Sequence, residues 1–246
     1  MRETLNDAAT AVLFLTRVPV PWTVPGVDRR LARATPWFPV VGLGVGLAGA
    51  LGFVVGSDLG GAWIGAIMAV AATVLLTGAF HEDGLADTFD GLGGSPDREG
   101  ALVIMKDSRL GSYGALALML TLLGRVAALA ALGAQAPAAL VGAHVLARFS
   151  SLPLIRGLPY ARDDGGTARP FAGGVTDRGL AAATGFTALV TLLLLGGRAA
   201  GTWVVGAAIL LILAAWFRRR LGGITGDALG AANQFVELGV YLVLLA

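Results

Sequence analysis

The chain has 246 residues, 56% of them hydrophobic and 14% charged, with a formal net charge of +2 and a mean hydropathy of +0.76. A soluble domain carries about 25% charged residues, so this composition excludes an ordinary soluble protein and points into a bilayer. The lack of cysteine removes disulfides and thiolate-bound metals from consideration, and the small net charge gives no reason to expect a nucleic-acid partner.

From the N-terminus, the apolar stretch Ala8–Leu15 is too short to span, and no small-residue cleavage pattern follows Arg17. It reads as a helix lying on the membrane and ending at "TRVPVP" (16–21), because Pro19 and Pro21 prevent its continuation. Uncharged runs follow at 34–57, 59–80, 126–147, 179–197 and 199–217. Crossing a hydrocarbon core of roughly 30 Å takes about 20 helical residues. The run 110–124 becomes a span once Arg125 is accepted inside it, and 228–246 is broken only by Glu237. The expected fold is all-α: a polytopic transmembrane helical bundle of about six to seven spans plus a short interfacial N-terminal helix. With no fixed repeat, low-complexity tract or long linker, residues 1–246 read as a single domain.

Arg29, Arg30 and Arg33 precede the first span, which places that end in the cytoplasm by the positive-inside rule. Alternate threading then puts the turn at Ser57-Asp58 outside and 81–109 inside. The turn near 133–137 is outside, 156–178 inside, Arg198 outside, "FRRR" (217–220) inside and the C-terminus outside. Arg198 is the only Lys or Arg that this threading assigns to an external loop. Arg125 and Arg148 are expected as intrabundle or interfacial charges. The acidic stretch at 81–90 and the loops 104–114, 159–171 and 222–231 all reach one, cytoplasmic, face.

The segment "HEDGLADTFDGLGG" (81–94) carries the chemistry. If the second span continues through it as a helix, Asp87 lies about 40° from Asp83, and Asp90 about 20° to the other side. Three anions stacked this closely repel, which raises pKa values or recruits a cation. An Asp in mid-bilayer costs about 2.5–3.5 kcal/mol on insertion scales, so the stripe should border a wet cavity. A hard divalent ion with oxygen ligands fits, Mg²⁺ before Mn²⁺. His81 points about 160° from Asp83 and reads as interfacial or supporting; Glu82, about 100° off, reads as a flank. In "GDALGAANQFVE", Asp227 shares a face with Ala231 and Gln234, beside a smooth Gly230, and is expected as a fourth ligand from across the bundle. Glu237, about 80° from it, suits packing or a surface equally. The plainest alternative is a solvated acidic loop.

Carboxylates holding Mg²⁺ beside basic loops suggest phosphate chemistry. Lys106 and Arg109 supply one basic pair, and Arg162 and Arg169 another, with Gly165 and Gly166 allowing close backbone approach. Anchoring by the positive-inside rule competes with this role for each arginine. A phosphotransferase acting on a pyrophosphate, a membrane prenyltransferase and a cation transporter all fit to this point. The single Asp of the second motif counts against the prenyltransferase. Charges at one interface, and not at the midplane, count against the transporter.

"FHEDGLADTFDGLGG", "IMKDSRLGSYGALAL" and "GGITGDALGA", with "FLTRVPVP" (14–21) near the start, resemble the cobalamin synthase (adenosylcobinamide-GDP ribazoletransferase) family, in order and spacing from about residue 12 to the C-terminus. "DGLAD" is also similar to the CDP-alcohol phosphotransferase signature, but an Asp stands where that signature has Arg. The resemblance implies a multi-pass inner-membrane enzyme requiring Mg²⁺. Such enzymes join adenosylcobinamide-GDP to α-ribazole, or its 5′-phosphate, and release GMP. It implies Mg²⁺ on Asp83, Asp87, Asp90 and Asp227. Lys106 and Arg109 would act on phosphoryl charge or the leaving group, and Arg162, Ser108, Tyr113 and Arg17 would contact substrate. Such enzymes often carry a Glu near Gln234, so that acidic role is either lost here or passes to Glu237. The partners implied are these small molecules and the lipid bilayer, with room for a homo-oligomer or for association with other corrinoid-pathway enzymes.

Overall fold

The computed structural model describes residues 2–162, 171 and 174–246. Helix α1 (Arg2–Leu15) stops before Pro19 and Pro21, and α2 (Val27–Ala34) is tied back to it. Arg30 Nη1 lies 2.9 Å from Glu3 and 3.0 Å from Asp7, and Arg33 Nη2 lies 2.9 Å from Asp7. Helix α3 (Phe38–Thr77) is two arms folded back at Gly60 and Gly61. Gly61 has φ +80°, a conformation that L-residues with a side chain rarely adopt. The arms touch backbone to backbone: a Cβ on Gly56 would come within 2.8 Å of Gly65 Cα. Short helices α4 (Phe80–Gly94) and α5 (Arg98–Ile104) follow. Two more hairpins come next, α6 (Ser112–Leu132) with α7 (Ala136–Gly157), and α8 (Asp177–Leu195) with α9 (Ala199–Leu221). They reverse at Gly133 and Gly196, both at positive φ. Helix α10 (Gly226–Leu245) closes the chain.

Four helical stretches, Arg29–Thr77, Ser112–Gly157, Asp177–Leu221 and Gly226–Leu245, are long and apolar enough to cross a membrane. The first three each double back at glycine, so seven rods run across the bundle. Leu75 is 76% exposed, and Leu59, Leu193 and Leu211 nearly as much, an exterior that only lipid tolerates. Helix α7 forms the axis, with Leu140, Ala143, Ala147 and Leu152 fully buried. Gly42 and Gly46 of α3 press on its backbone at His144 and Val141. Lipid offers no hydrophobic drive between helices, so close approach through small residues supplies the packing.

Two details differ from the sequence-based expectation. The second arm of α3 does not run on into 81–94. It ends at Gly78 (φ +67°), and Ala79 (φ +59°) turns the chain into a separate helix. Gly78 N donates to Leu75 O and Ala79 N to Val74 O, the paired hydrogen bonds that terminate helices around a left-handed glycine. The uncharged run 126–147 is not one span, because the turn at Gly133–Gln135 cuts it. Arg125 lies well inside α6 and buried, as expected of an intrabundle charge.

Side-chain bonds to backbone gather two ends. At one, Arg98 donates to Leu221 O and Ala161 O (2.8 and 2.7 Å), and Arg220 to Leu92 O and Ser95 O (3.0 and 2.7 Å). Tyr160 bridges Ile224 there. At the other, Arg198 donates to Gln135 Oε1 (3.1 Å) and Leu244 O (2.7 Å). The acidic motif, the turn into α6, the segment after α7 and the α9–α10 turn therefore share one end.

Candidate active site

Helix α4 restarts at a left-handed Ala79 with Asp83 N donating to Ala79 O at 2.8 Å. It runs unbroken through the motif, so the phasing of Asp83, Asp87 and Asp90 survives the break before it. Asp83 is exposed, Asp87 half-buried and Asp90 buried. Across from them α10 begins, its first turn capped by Thr225, whose Oγ1 accepts from Ala228 N at 3.1 Å. The two helices meet at glycine. A Cβ on Gly84 would stand 2.9 Å from Asp227 O and 3.3 Å from Gly230 Cα. Backbone-to-backbone contact at that crossing is what brings Asp227 beside the α4 acids.

The acids act on one another electrostatically. The Asp87 carboxyl is pushed up to about 7, by burial first and then by Asp83 and Asp227, with Arg162 opposing and Asp90 adding a little. Four carboxylates act on one another with too little positive charge among them. By chemistry, that donor set could take a hard divalent cation, with Asp83 and Asp87 from α4 and Asp227 from α10 as the groups that could hold it. Among the described residues, no three of His, Cys, Asp or Glu stand close enough to hold an ion as arranged. Arg162 Nη2 is 2.8 Å from Asp227 Oδ2 instead.

Asp90 has another task. Its two oxygens accept from Gly111 N (2.7 Å) and Gly114 N (2.8 Å), satisfying the open donors that begin α6. Both glycines lie so near that a Cβ on either would strike the carboxylate. Asp90 thus joins α4 to the loop carrying Lys106, Ser108 and Arg109. In that loop Arg109 Nε is 3.0 Å from both Asp107 oxygens, and this pairing drives the Asp107 carboxyl down to about 2. Asp90, Asp107, Arg109, Ser112 and Tyr113 line a cavity of about 530 Å³, with Tyr113 laid over Gly93. Ser108 is exposed. Lys106 and Arg162 face a second cavity of about 280 Å³ with Arg98 and Glu99. Arg17 is exposed and covers Gly78, at the turn that starts α4. Arg169, Gly165 and Gly166 lie outside the described residues.

Behind the acids, inside the bundle, is a buried polar cluster that spacing on one helix does not reveal. Arg125 Nη1 donates to Glu82 Oε1 (2.8 Å) and Gln234 Oε1 (3.1 Å). Its Nη2 reaches Glu237 Oε1 (2.7 Å) and Thr73 Oγ1 (3.2 Å). Tyr241 donates to Glu237 (3.0 Å), and His144 Nδ1 stands 3.4 Å from the other Glu237 oxygen, with Arg148 against His144. Glu82 is therefore a flank beside Asp83, buried and anchored to Arg125, and Glu237 is fully buried and not a surface group. Gln234 and Glu237 share one guanidinium. Thr73, His144 and Tyr241 carried no motif; the available signal was the cost of Arg125 and Glu237 in otherwise uncharged spans. His81 is buried with its edge to Phe80, among Phe14, Phe38, Ser151 and Phe171.

The family model for cobalamin-5-phosphate synthase matches residues 7–245. The chain is 48% identical over 246 residues to the adenosylcobinamide-GDP ribazoletransferase of Leptothrix cholodnii, covering 96% of this chain and 93% of that one. It is 41% identical to the enzyme of the same name from Vibrio cholerae (100% and 95% covered) and 44% to that of Bradyrhizobium diazoefficiens (100% and 95%). No solved structure matches. A match over nearly the whole length, on a helical bundle with its acids and bases gathered at one end, means that the chain belongs to the cobalamin-5-phosphate synthase family.

Proposed function

We propose that this protein is an adenosylcobinamide-GDP ribazoletransferase. It transfers the adenosylcobinamide phosphate moiety to α-ribazole, or its 5′-phosphate, giving adenosylcobalamin, or its 5′-phosphate, and GMP. Family membership across residues 7–245 carries this reading. The ribazole hydroxyl attacks the phosphorus on the cobinamide side of the pyrophosphate and gives up its proton to solvent, a new P–O bond forms, and the bond to the GMP phosphate breaks in line, releasing GMP.

Asp83, Asp87 and Asp227 would hold Mg²⁺, with Asp90 beside them. Mg²⁺ when bound neutralises phosphoryl oxygens and orients the pyrophosphate. Lys106 and Arg109 would carry charge on the departing GMP, and Arg162, Ser108, Tyr113 and Arg17 would position substrate. The grouping of the two basic loops with the acids at one end supports these roles. The work would be done at the cytoplasmic face of the inner membrane. Arg218, Arg219 and Arg220 close α9 at the site end, and Arg198 stands at the opposite one, the asymmetry expected of a cytoplasmic site.

The test is incubation of purified protein with adenosylcobinamide-GDP, α-ribazole and Mg²⁺. GMP should appear only with both organic substrates and should vanish with EDTA. GMP release from adenosylcobinamide-GDP alone, at the same rate, would rule the transfer out.

A further inference from the structure

Among the described residues, Asp227 is the only one of Asp83, Asp87, Asp90 and Asp227 with a cation on it. The Arg162 and Asp227 side chains are 11% and 21% exposed, so the pair is partly shielded from water. The guanidinium has donors to spare. Its Nε is buried and has no partner among the described residues, and the residue also walls the cavity of about 280 Å³ that holds Lys106. The preceding residue is held by two hydrogen bonds. Ala161 N donates to Ile224 O at 2.8 Å, and Ala161 O accepts from Arg98 Nη2 at 2.7 Å. Arg162 thus stands between Asp227 and the cavity.

We propose that Arg162 is a built-in counter-ion for Asp227, which a divalent metal must displace, and that displacement hands its guanidinium to a phosphate in the adjoining cavity. The proposal rests on the metal-dependent reading above and deepens it. Two cations compete for one carboxylate, so the substrate-free protein should bind metal weakly. A phosphate in the cavity offers the displaced arginine a planar, bidentate partner. Metal and phosphate then favour each other's binding, and by linkage the benefit is mutual. Such an arrangement would keep the acids from taking up a cation until the pyrophosphate is present.

The experiment is a Mn²⁺ titration of detergent-purified protein in phosphate-free buffer, with free Mn²⁺ read by electron paramagnetic resonance. Removing the competitor in Arg162→Gln should tighten Mn²⁺ binding by about fivefold or more, the lower range of ordinary coupling between ligands, while GMP release falls. An arginine that is only structural would not raise metal affinity as activity drops. Adding Asp227→Asn to Arg162→Gln should erase the gain. Arg162→Lys keeps the charge without the planar fork, should fall between wild type and Arg162→Gln, and serves if the glutamine variant does not fold. Equal or weaker Mn²⁺ binding in both Arg162 variants overturns the counter-ion. Should Asp83→Asn and Asp87→Asn leave Mn²⁺ binding unchanged, the metal reading beneath it fails as well.

Discussion

Asp87 shows how one residue's environment sets its chemistry. Its carboxyl, pushed up to about 7 by burial first and then by Asp83, is protonated in part near neutral pH, and a bound cation would have to expel that proton. In the folded protein without metal, this raised value contributes stability at acidic pH that is lost as pH climbs through about 7. Mn²⁺ affinity should move the opposite way, rising through pH 6 to 8 and levelling above it, and Asp87→Asn should flatten the curve. An unchanged slope in that variant would assign the titration elsewhere. Arg125 is the other decisive residue. It is 1% exposed and ties its own helix to three others, α3 through Thr73, α4 through Glu82, and α10 through Gln234 and Glu237. Arg125→Met leaves two buried acids without their partner and should cost about 3–5 kcal/mol, read as a lowered melting midpoint in detergent. Adding Glu237→Gln should recover part of the loss, since the two effects are coupled. Additive losses would mean that the pair does not act as a unit.

Helices α4 and α10 make the site as a pair. Neither holds the acids alone; they are brought together by a crossing with no side chain between them. Gly84→Val would drive a branched side chain into Asp227 O, which stands 2.9 Å from the Cβ position. The helices must then part by an ångström or more. Misplacement on that scale can lower turnover by about 100-fold. GMP release should drop accordingly while the protein still inserts and purifies, and near wild-type turnover would show that the crossing is not what sets the acids. The other junction is Asp90, which bonds the start of α6 and with it the Lys106–Arg109 loop. Its sequence spacing suggests a third ligand, and its geometry adds a structural duty that the spacing does not contain.

The molecule as a whole is a stack of glycine-hinged hairpins with its acidic motif and charged loops at one end. The topology predicts side-specific access, and a chain without cysteine is suited to the measurement. In inverted membrane vesicles, cysteines placed at Ser108 and Arg219 should react with a membrane-impermeant maleimide, and those at Ala134 and Gly197 should not. In right-side-out vesicles the pattern should reverse. Labelling of both pairs from one side would break the threading.

Much of this was legible in one dimension. The membrane class, the reversal points and the shared end of the charged loops follow from the long uncharged runs, because lipid admits few alternatives to helices that cross it. The 83-87-90 phasing is likewise a property of helical rise, and it held although the helix before it ended three residues earlier than the uncharged run suggests. The partners of those residues were not legible. Arg162 on Asp227, Asp90 on the first turn of α6, and Glu82, Gln234 and Glu237 around Arg125 join positions 21 to 152 residues apart. A helix's own period says which side chains share a face, but the neighbouring helix decides what that face touches, and only the packing of small residues in three dimensions makes that choice.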